Sequence, residues 1–123
     1  MIRPEIIKNA IIKKVSISMA DHGCLTFHLT LDGGGWGVGY GGYCIGNGCL
    51  GSDDFKAKNG SGLVAMMKIM DTVGVERWED LEGKYIRVKT KGVGDRLTTI
   101  GNIIEDKWFD IEEFFENYGK EER

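Results

Sequence analysis

The chain has 123 residues, which suits one folded domain and leaves too little length for a second core. Its hydrophobic share of 41% and charged share of 28% exclude an intrinsically disordered protein. A net charge of −3 argues against general binding to DNA or RNA, which needs an excess of Lys and Arg.

The cysteines and the absence of targeting signals predict where the protein works. The sequence carries no run of about 18 apolar residues and no signal-peptide pattern, so we expect a cytoplasmic protein that does not span a membrane. Cys24, Cys44 and Cys49 cannot all pair within one chain. In a reducing compartment they are expected to be free thiols.

The first half of the chain predicts three strands. Residues 14–19 and 24–31 both alternate between apolar and polar side chains, and the turn signal at residues 21–23 joins them into a hairpin. Residues 35–45 continue as a glycine-rich strand. The double glycine at 41–42 predicts a bulge in it.

A loop and a helix are predicted next. Residues 46–60 are polar and glycine-rich, which favours a mobile loop. Apolar residues then recur at three- and four-residue spacing over residues 63–73, with Ser61 as the expected N-cap and Gly74 placed to end the helix. Residues 75–81 predict a short helical turn.

The C-terminal part predicts a hairpin and a second helix. Residues 84–90 and 96–104 form the two strands, and Asp110 with Glu113 forms a capping box that starts the helix. The order of elements predicts an α+β fold, with an antiparallel sheet of about five to six strands and two main helices in the C-terminal half. Residues 1–123 form one domain, with a frayed tail over 119–123.

The glycine–aromatic run over residues 33–43 is the compositional outlier. Residues 37–42 fit the dinucleotide pattern G-x-G-x-x-G, but that fingerprint needs a helix after it, and the sequence that follows cannot sustain one. The glycines can simply let rings pack on neighbouring backbone. They can also place rings beside bare amides, which suits a base and a phosphate. The candidate ligand residues are Trp36, Tyr40, Gly41, Gly42 and Tyr43.

A second candidate region lies on the predicted C-terminal hairpin. Tyr85, Arg87 and Lys89 share one strand face, and Arg96 begins the return strand, so the four are expected to be neighbours. A solvated outer face is the plain interpretation, and a phosphate clamp is the alternative. Asn102 can read a ribose or a base edge, or can be a satisfied strand-end amide.

Neither a metal site nor a catalytic site has a convincing set of residues. His22, Cys24, Cys44 and Cys49 could supply zinc ligands, but their spacing lacks the tight C-x-x-C knuckle, so we expect no metal and no cofactor. No Ser or Cys stands in a nucleophile-elbow context. A binding protein is therefore favoured over an enzyme.

Longer motifs resemble those of a family of small phage and prophage proteins. The chain is similar to the Thoeris anti-defence sponge family over most of residues 15–110. The shared motifs are Asp21-His22-Gly23, Leu25-Thr26-Phe27, Leu31-Asp32-Gly33-Gly34, Gly39-Tyr40-Gly41-Gly42-Tyr43, and the segments 74–81, 83–88 and 100–108.

This resemblance implies a specific function. Thoeris immunity uses a TIR-domain enzyme to make a cyclic ADP-ribose isomer, such as glycocyclic ADP-ribose, which activates an effector that destroys NAD. Family members bind the signal without cleaving it, are oligomers built on dimers, and hold nucleotides at subunit interfaces. Some also bind cyclic oligonucleotides at separate sites. In this chain the expected stacking and phosphate-binding residues are Trp36, Tyr40, Tyr85, Arg87, Lys89 and Arg96.

Two other hypotheses remain. The acidic C-terminal residues 112–122 suit a phage inhibitor that acts by direct protein–protein contact with a host defence protein. A nucleotide hydrolase would bind the same ligand but turn it over. Intact recovery of the ligand separates sequestration from hydrolysis, and persistence of a protein complex without nucleotide indicates the contact inhibitor.

Overall fold

The computed structural model describes residues 5–21, 23–49, 60–91 and 96–118. One antiparallel, curled sheet of six strands, in the order β3-β2-β1-β4-β5-β6, carries two helices. The predicted α+β fold of a single domain is confirmed. The elements are β1 (Ile6–Asp21), β2 (Cys24–Asp32), β3 (Gly37–Cys49), α1 (Ser61–Val73), a 3₁₀ turn (Trp78–Leu81), β4 (Tyr85–Thr90), β5 (Thr99–Asn102), β6 (Trp108–Asp110) and α2 (Ile111–Asn117).

The β1–β2 hairpin forms where the alternating pattern predicts it. Apolar residues on the inner face of β2 are buried, with Phe27, Leu29 and Leu31 at most 1% exposed. β1 starts earlier than predicted, because its first part pairs with β4, from Ile6 opposite Thr90 onward. That pairing is between segments far apart in sequence, so the local pattern could not show it.

The predicted bulge at the double glycine is confirmed. The pairing of β2 with β3 shifts register at this point, and Gly41 and Gly42 have φ of +106° and +84°. A Cβ on Gly41 would lie 2.8 Å from the Phe27 carbonyl oxygen. Glycine is required here by both the backbone conformation and the close approach of the two strands.

The predicted loop over residues 46–60 is wrong for its first part. β3 continues through Cys49, which lies opposite Cys24 of β2. Residues 50–59 are outside the described part of the chain. A strand persists through this polar sequence because β2 supplies hydrogen-bonding partners that the sequence pattern does not reveal.

The prediction of three free thiols is wrong for Cys24. This residue is disulfide-bonded and only 1% exposed, whereas Cys44 remains a thiol. The antiparallel register brings Cys24 opposite a strand residue that is also a cysteine. Strand register, which composition does not reveal, decides which residues lie opposite Cys24.

Helix α1 covers the curled sheet. It begins at Ser61, with Gly60 and not Ser61 as the N-cap residue, and it ends as predicted at Gly74, whose N–H donates to the Met70 carbonyl at 2.8 Å. Its inner face includes Met66, while Met67 is 63% exposed. No described helix has the length and apolar character needed to cross a membrane.

The C-terminal hairpin differs from its prediction. β5 is confined to residues 99–102 instead of 96–104, and the chain bends at residues 103–106 before a short strand, β6, that was not expected. The predicted turn at residues 92–95 and the tail at 119–123 lie outside the described residues. The capping box is confirmed, because the Asp110 side chain accepts from the Glu113 N–H at 3.1 Å.

Candidate functional site

The first group of predicted site residues lines a cleft between β3 and the segment 96–98. Four of the ten candidates meet here, namely Tyr40, Gly41, Tyr43 and Arg96, in a space of about 200 Å³. We call this space the β3 cleft. Its other walls come from Val38, Gly39, Leu97, Thr98 and Ile111. The cleft is smaller than the roughly 300–1,000 Å³ of typical small-molecule sites.

The polar groups of the β3 cleft are already engaged. Tyr43 stacks on Phe115 with ring centroids 4.1 Å apart. Burial raises the pKa of Tyr43, and the neighbouring Arg96 opposes that increase. Arg96 also pairs with Glu112 at 3.1 Å. A phosphate would have to compete with this carboxylate, so the β3 cleft is a poor first choice for a pyrophosphate.

Tyr40 joins the two ends of the curled sheet. From β3, its hydroxyl donates to the Thr98 carbonyl at 2.9 Å and approaches the Phe109 carbonyl of β6 at 3.3 Å. Its ring is 2% exposed. Burial, with a smaller contribution from the Asp110 charge, raises the pKa of Tyr40 well above its ordinary value. The hydroxyl is therefore a neutral donor that closes the fold.

Replacing Tyr40 with Phe is expected to lower the free energy of unfolding by about 1–2 kcal/mol at pH 7, because the hydrogen bond from its buried hydroxyl to the Thr98 carbonyl is lost. Above about pH 10 the difference between the two proteins should shrink. Ionisation of unfolded Tyr40 then favours unfolding of the parent protein, and the variant lacks that group. Urea denaturation between pH 7 and 11 measures both effects. Tyr85→Phe, on an exposed ring, is the control, and an equal loss in that variant would contradict this role.

The second group lies on the outer face of β4, around a residue that sequence reasoning missed. The guanidinium carbon of Arg87 lies 4.7 Å from the centre of the Trp108 ring, and Lys89 Nζ lies 4.3 Å from it. The indole lies over Gly101, where a Cβ would overlap the ring. We call Arg87, Lys89 and Trp108 the tryptophan platform. A glycine inside a strand, followed closely by a tryptophan, was the available signal.

The tryptophan platform is held rigidly. Arg87 Nε donates to the Asn102 carbonyl at 2.7 Å, and its Nη2 donates to the Glu105 carbonyl at 2.8 Å. Trp108 Nε1 donates to Asp106 Oδ1 at 2.8 Å, which fixes the orientation of the indole. The two cations and the ring are thus positioned by the chain before any ligand arrives.

The charges of the platform are not neutralised by direct ion pairs. Within the described part of the chain, neither Arg87 nor Lys89 forms an ion pair with a carboxylate. Both side chains are only half-buried. Arg87 gives two of its five N–H donors to backbone carbonyls, and the remaining ones can join Lys89 in charge-assisted hydrogen bonds to an anion.

Asn102 is a structural residue next to the platform. Its Nδ2 donates to the carbonyls of Thr72 and Val73 at 3.0 and 3.1 Å, at the end of α1. Its Oδ1 accepts from the amides of Ile104 and Glu105 at 2.9 and 2.8 Å. A side-chain amide has two donors and two main acceptor positions, so the chain itself uses all of them.

The remaining candidates lie apart from one another. Tyr85 is 64% exposed and borders a shallow cleft beside Gly33 and the adjoining turn. The Trp36 ring packs over Gly33, and a Cβ on Gly42 would lie 3.1 Å from the His28 ring. Neither Trp36 nor Gly42 lines the β3 cleft or the cleft beside Tyr85.

A wider cleft between α1, β6 and α2 has unsuitable charge for a nucleotide. It measures about 490 Å³ and contains four carboxylate residues against two lysines. The acids are Asp71, Asp106, Asp110 and Glu113. Trp108 of the tryptophan platform also lines this cleft, but the excess of negative charge inside it would repel a pyrophosphate.

No family model, no curated protein sequence and no solved structure matches this chain.

Proposed function

We propose that this protein binds and sequesters a cyclic ADP-ribose isomer without cleaving it, as its sequence resemblance implies. The observation that carries the proposal is the tryptophan platform, where Arg87 and Lys89 lie over Trp108 with no carboxylate ion pair among the described residues. The ligand contains a pyrophosphate, whose charges match this pair of cations.

Rigidity of the platform favours sequestration. Arg87 is fixed by two carbonyl groups and Trp108 by Asp106. Little side-chain freedom is therefore lost when an anion binds, and preorganisation of this kind raises affinity. A sponge must release its ligand slowly and needs no general base, because it performs no proton transfer.

In the single chain the tryptophan platform faces solvent. This exposure supports a homo-oligomer, which is part of the proposal. On the same face Ile7 lies opposite Lys89 and is 52% exposed, and Tyr85 is 64% exposed. A second subunit of a homodimer would cover these apolar groups and enclose the ligand. This arrangement agrees with the interface pockets that the resemblance implies.

Calorimetry with purified cyclic ADP-ribose isomers tests the proposal. We expect tight, saturable binding of at least one isomer, and recovery of the intact ligand by mass spectrometry after the complex is denatured. The absence of heat with every isomer at micromolar concentrations would refute ligand sequestration. Conversion of the ligand during incubation would indicate a hydrolase.

Lys89→Gln is expected to weaken binding about tenfold or more, since a charge-assisted hydrogen bond to phosphate contributes about 1.5–3 kcal/mol. The substitution also removes the contact of Lys89 with the Trp108 ring, so the melting temperature should fall slightly while the fold is retained. Lys14→Gln, an exposed lysine of β1, is the matched control. Equal affinities of both variants and the parent protein would exclude the platform as the phosphate site.

A contact inhibitor of a host defence protein is the second candidate, and the acidic cleft favours it. Asp71, Asp106, Asp110 and Glu113 line one opening that a basic segment of another protein could enter. Capture of one host protein by nucleotide-free protein, abolished by Asp71→Asn with Glu113→Gln, would support this function. Retention of the partner by that double variant would rule out the cleft as the contact.

A further inference from the structure

A shallow slot lies next to the tryptophan platform, between β1, β4 and the turn that follows β2. It measures about 300 Å³, and we call it the tyrosine slot. Its walls are Asn9, Ala10, Ile11, Asp32, Gly33, Gly34 and Tyr85. The exposed ring of Tyr85 contributes an aromatic surface, and the two glycines contribute bare backbone. A flat heterocycle suits such a space, because it can stack on the ring without meeting side chains from the turn.

Asn9 supplies an unused amide at this slot. The residue is exposed, and its side chain forms no hydrogen bond with the part of the chain that the structure describes. It lies directly opposite Arg87 in the pairing of β1 with β4, so both side chains are on the same face of the sheet. An Asn amide pairs with adenine through two hydrogen bonds, accepting from N6 and donating to N7.

The distance between the tyrosine slot and the tryptophan platform suits the base and the phosphates of one nucleotide. Tyr85 and Arg87 are successive side chains on one face of β4, about 6.6–7 Å apart along the strand. A base on Tyr85 would therefore direct its ribose toward Arg87 and its phosphates toward Arg87 and Lys89. No break in the sheet separates the two places, since β1 pairs with β4 along this whole stretch.

Asp32 places a hydrogen-bond acceptor at one end of the tyrosine slot. The N–H of Gly34 donates to its Oδ1 at 2.9 Å, and Lys13 pairs with its Oδ2 at 3.3 Å. These contacts lower the pKa of Asp32, and the hydrogen bond from the Gly34 backbone has the largest effect. The carboxylate therefore stays ionised and only accepts hydrogen bonds. The exocyclic amine of a base or a ribose hydroxyl can donate to this carboxylate, whereas an ionised phosphate offers it no donor. The acceptor at Asp32 and the cations of the platform thus favour one orientation of the ligand.

We propose that the tyrosine slot is a purine subsite in which Tyr85 stacks on the base and Asn9 selects adenine. The inference rests on the proposed function, whose ligand contains an adenine, and adds which residues of this chain hold and select that base. Hypoxanthine carries an oxygen where adenine carries its N6 amine, so the Asn9 carbonyl oxygen would face another acceptor. The slot therefore prefers adenine to hypoxanthine.

Affinity for a cyclic ADP-ribose isomer and for its hypoxanthine analogue tests the subsite. The parent protein is expected to bind the adenine compound about tenfold or more tightly. Asn9→Ala should bind both compounds equally, at the affinity of the analogue. Tyr85→Ala should weaken both by about tenfold or more, while Tyr85→Phe keeps the stacking ring and both affinities. Ser16→Ala, on an exposed residue of the same strand, should leave both affinities unchanged.

The outcomes separate this inference from the function it rests on. If the parent protein binds neither compound, the proposed function fails and the subsite with it. If the parent protein binds, Lys89→Gln weakens binding and Asn9→Ala retains the adenine preference, the phosphate site stands and the adenine subsite is overturned. Melting curves of the Asn9 and Tyr85 variants should match that of the parent protein, because neither residue is buried.

Discussion

Asn102→Ala is expected to lower the free energy of unfolding by about 3 kcal/mol, one of the two largest effects we predict. The substitution removes a buried amide that makes four hydrogen bonds. It leaves two carbonyl groups at the end of α1 and two amides of the following bend without partners. Each hydrogen bond contributes about 1 kcal/mol, and a buried group left unpaired costs more.

Urea denaturation measures this loss, with Asn117→Ala as the matched control. Asn117 is exposed and makes one hydrogen bond, to the Glu113 carbonyl at 3.0 Å, so its replacement should cost less than about 1 kcal/mol. The result also decides the role of Asn102. Unchanged stability combined with lost nucleotide binding would make it a ligand contact and would contradict the structural role.

Gly62→Ala is expected to destabilise the protein by about 3 kcal/mol or to prevent folding, although alanine is the better helix former by about 1 kcal/mol. The first turn of α1 lies directly on β3 at this position. A Cβ on Gly62 would overlap the carbonyl oxygens of Cys44 and Ile45, and Ile45 Cα would lie 2.5 Å from it. Backbone atoms of a paired strand cannot move aside as a flexible side chain can.

The control for Gly62 is Gly39→Ala, within the glycine–aromatic run. A Cβ on Gly39 meets no atom within 4 Å, and its φ is not positive. We expect a change within about 0.5 kcal/mol. Thermal unfolding of both variants provides the measurement. Equal stabilities would mean that α1 does not rest on the β3 backbone at Gly62.

Local features of the fold were predictable. The hairpin of β1 and β2, the bulge at Gly41, the end of α1 at Gly74 and the capping box at Asp110 all follow from residues close in sequence. Each depends on side-chain alternation, on a positive φ or on a hydrogen bond within a few residues. A sequence pattern can therefore reveal each of these features without knowledge of the fold.

Features that depend on a distant partner were not predictable. The early part of β1 needs β4, β6 needs β5, and the last part of β3 needs β2. Strand formation in these segments comes from pairing with residues that lie far away in the sequence, and no periodic pattern reports it.

The candidate site likewise combines residues that a local pattern predicted with residues that only distant contacts bring together. Arg87 and Lys89 were predicted as candidate phosphate-binding residues from their shared strand face, but Trp108 was missed, because it reaches them only across Gly101 of the intervening strand. Arg96 was expected beside them. It lies instead near Tyr43 and pairs with Glu112, because β5 begins only at Thr99.

The sequence by itself determined the α+β class, the main hairpin, the C-terminal end of α1 and the start of α2 at Asp110. Only the tertiary structure decided which of the candidate site residues meet. It placed four of the ten candidates in the β3 cleft, two on the tryptophan platform, one at the tyrosine slot and Asn102 in the interior, and it left Trp36 and Gly42 outside all of these. Alternation and capping act over a few residues, whereas the neighbours of a side chain on a curled sheet depend on strand order and register. The aromatic ring at the platform accordingly comes from Trp108 and not from the glycine–aromatic run.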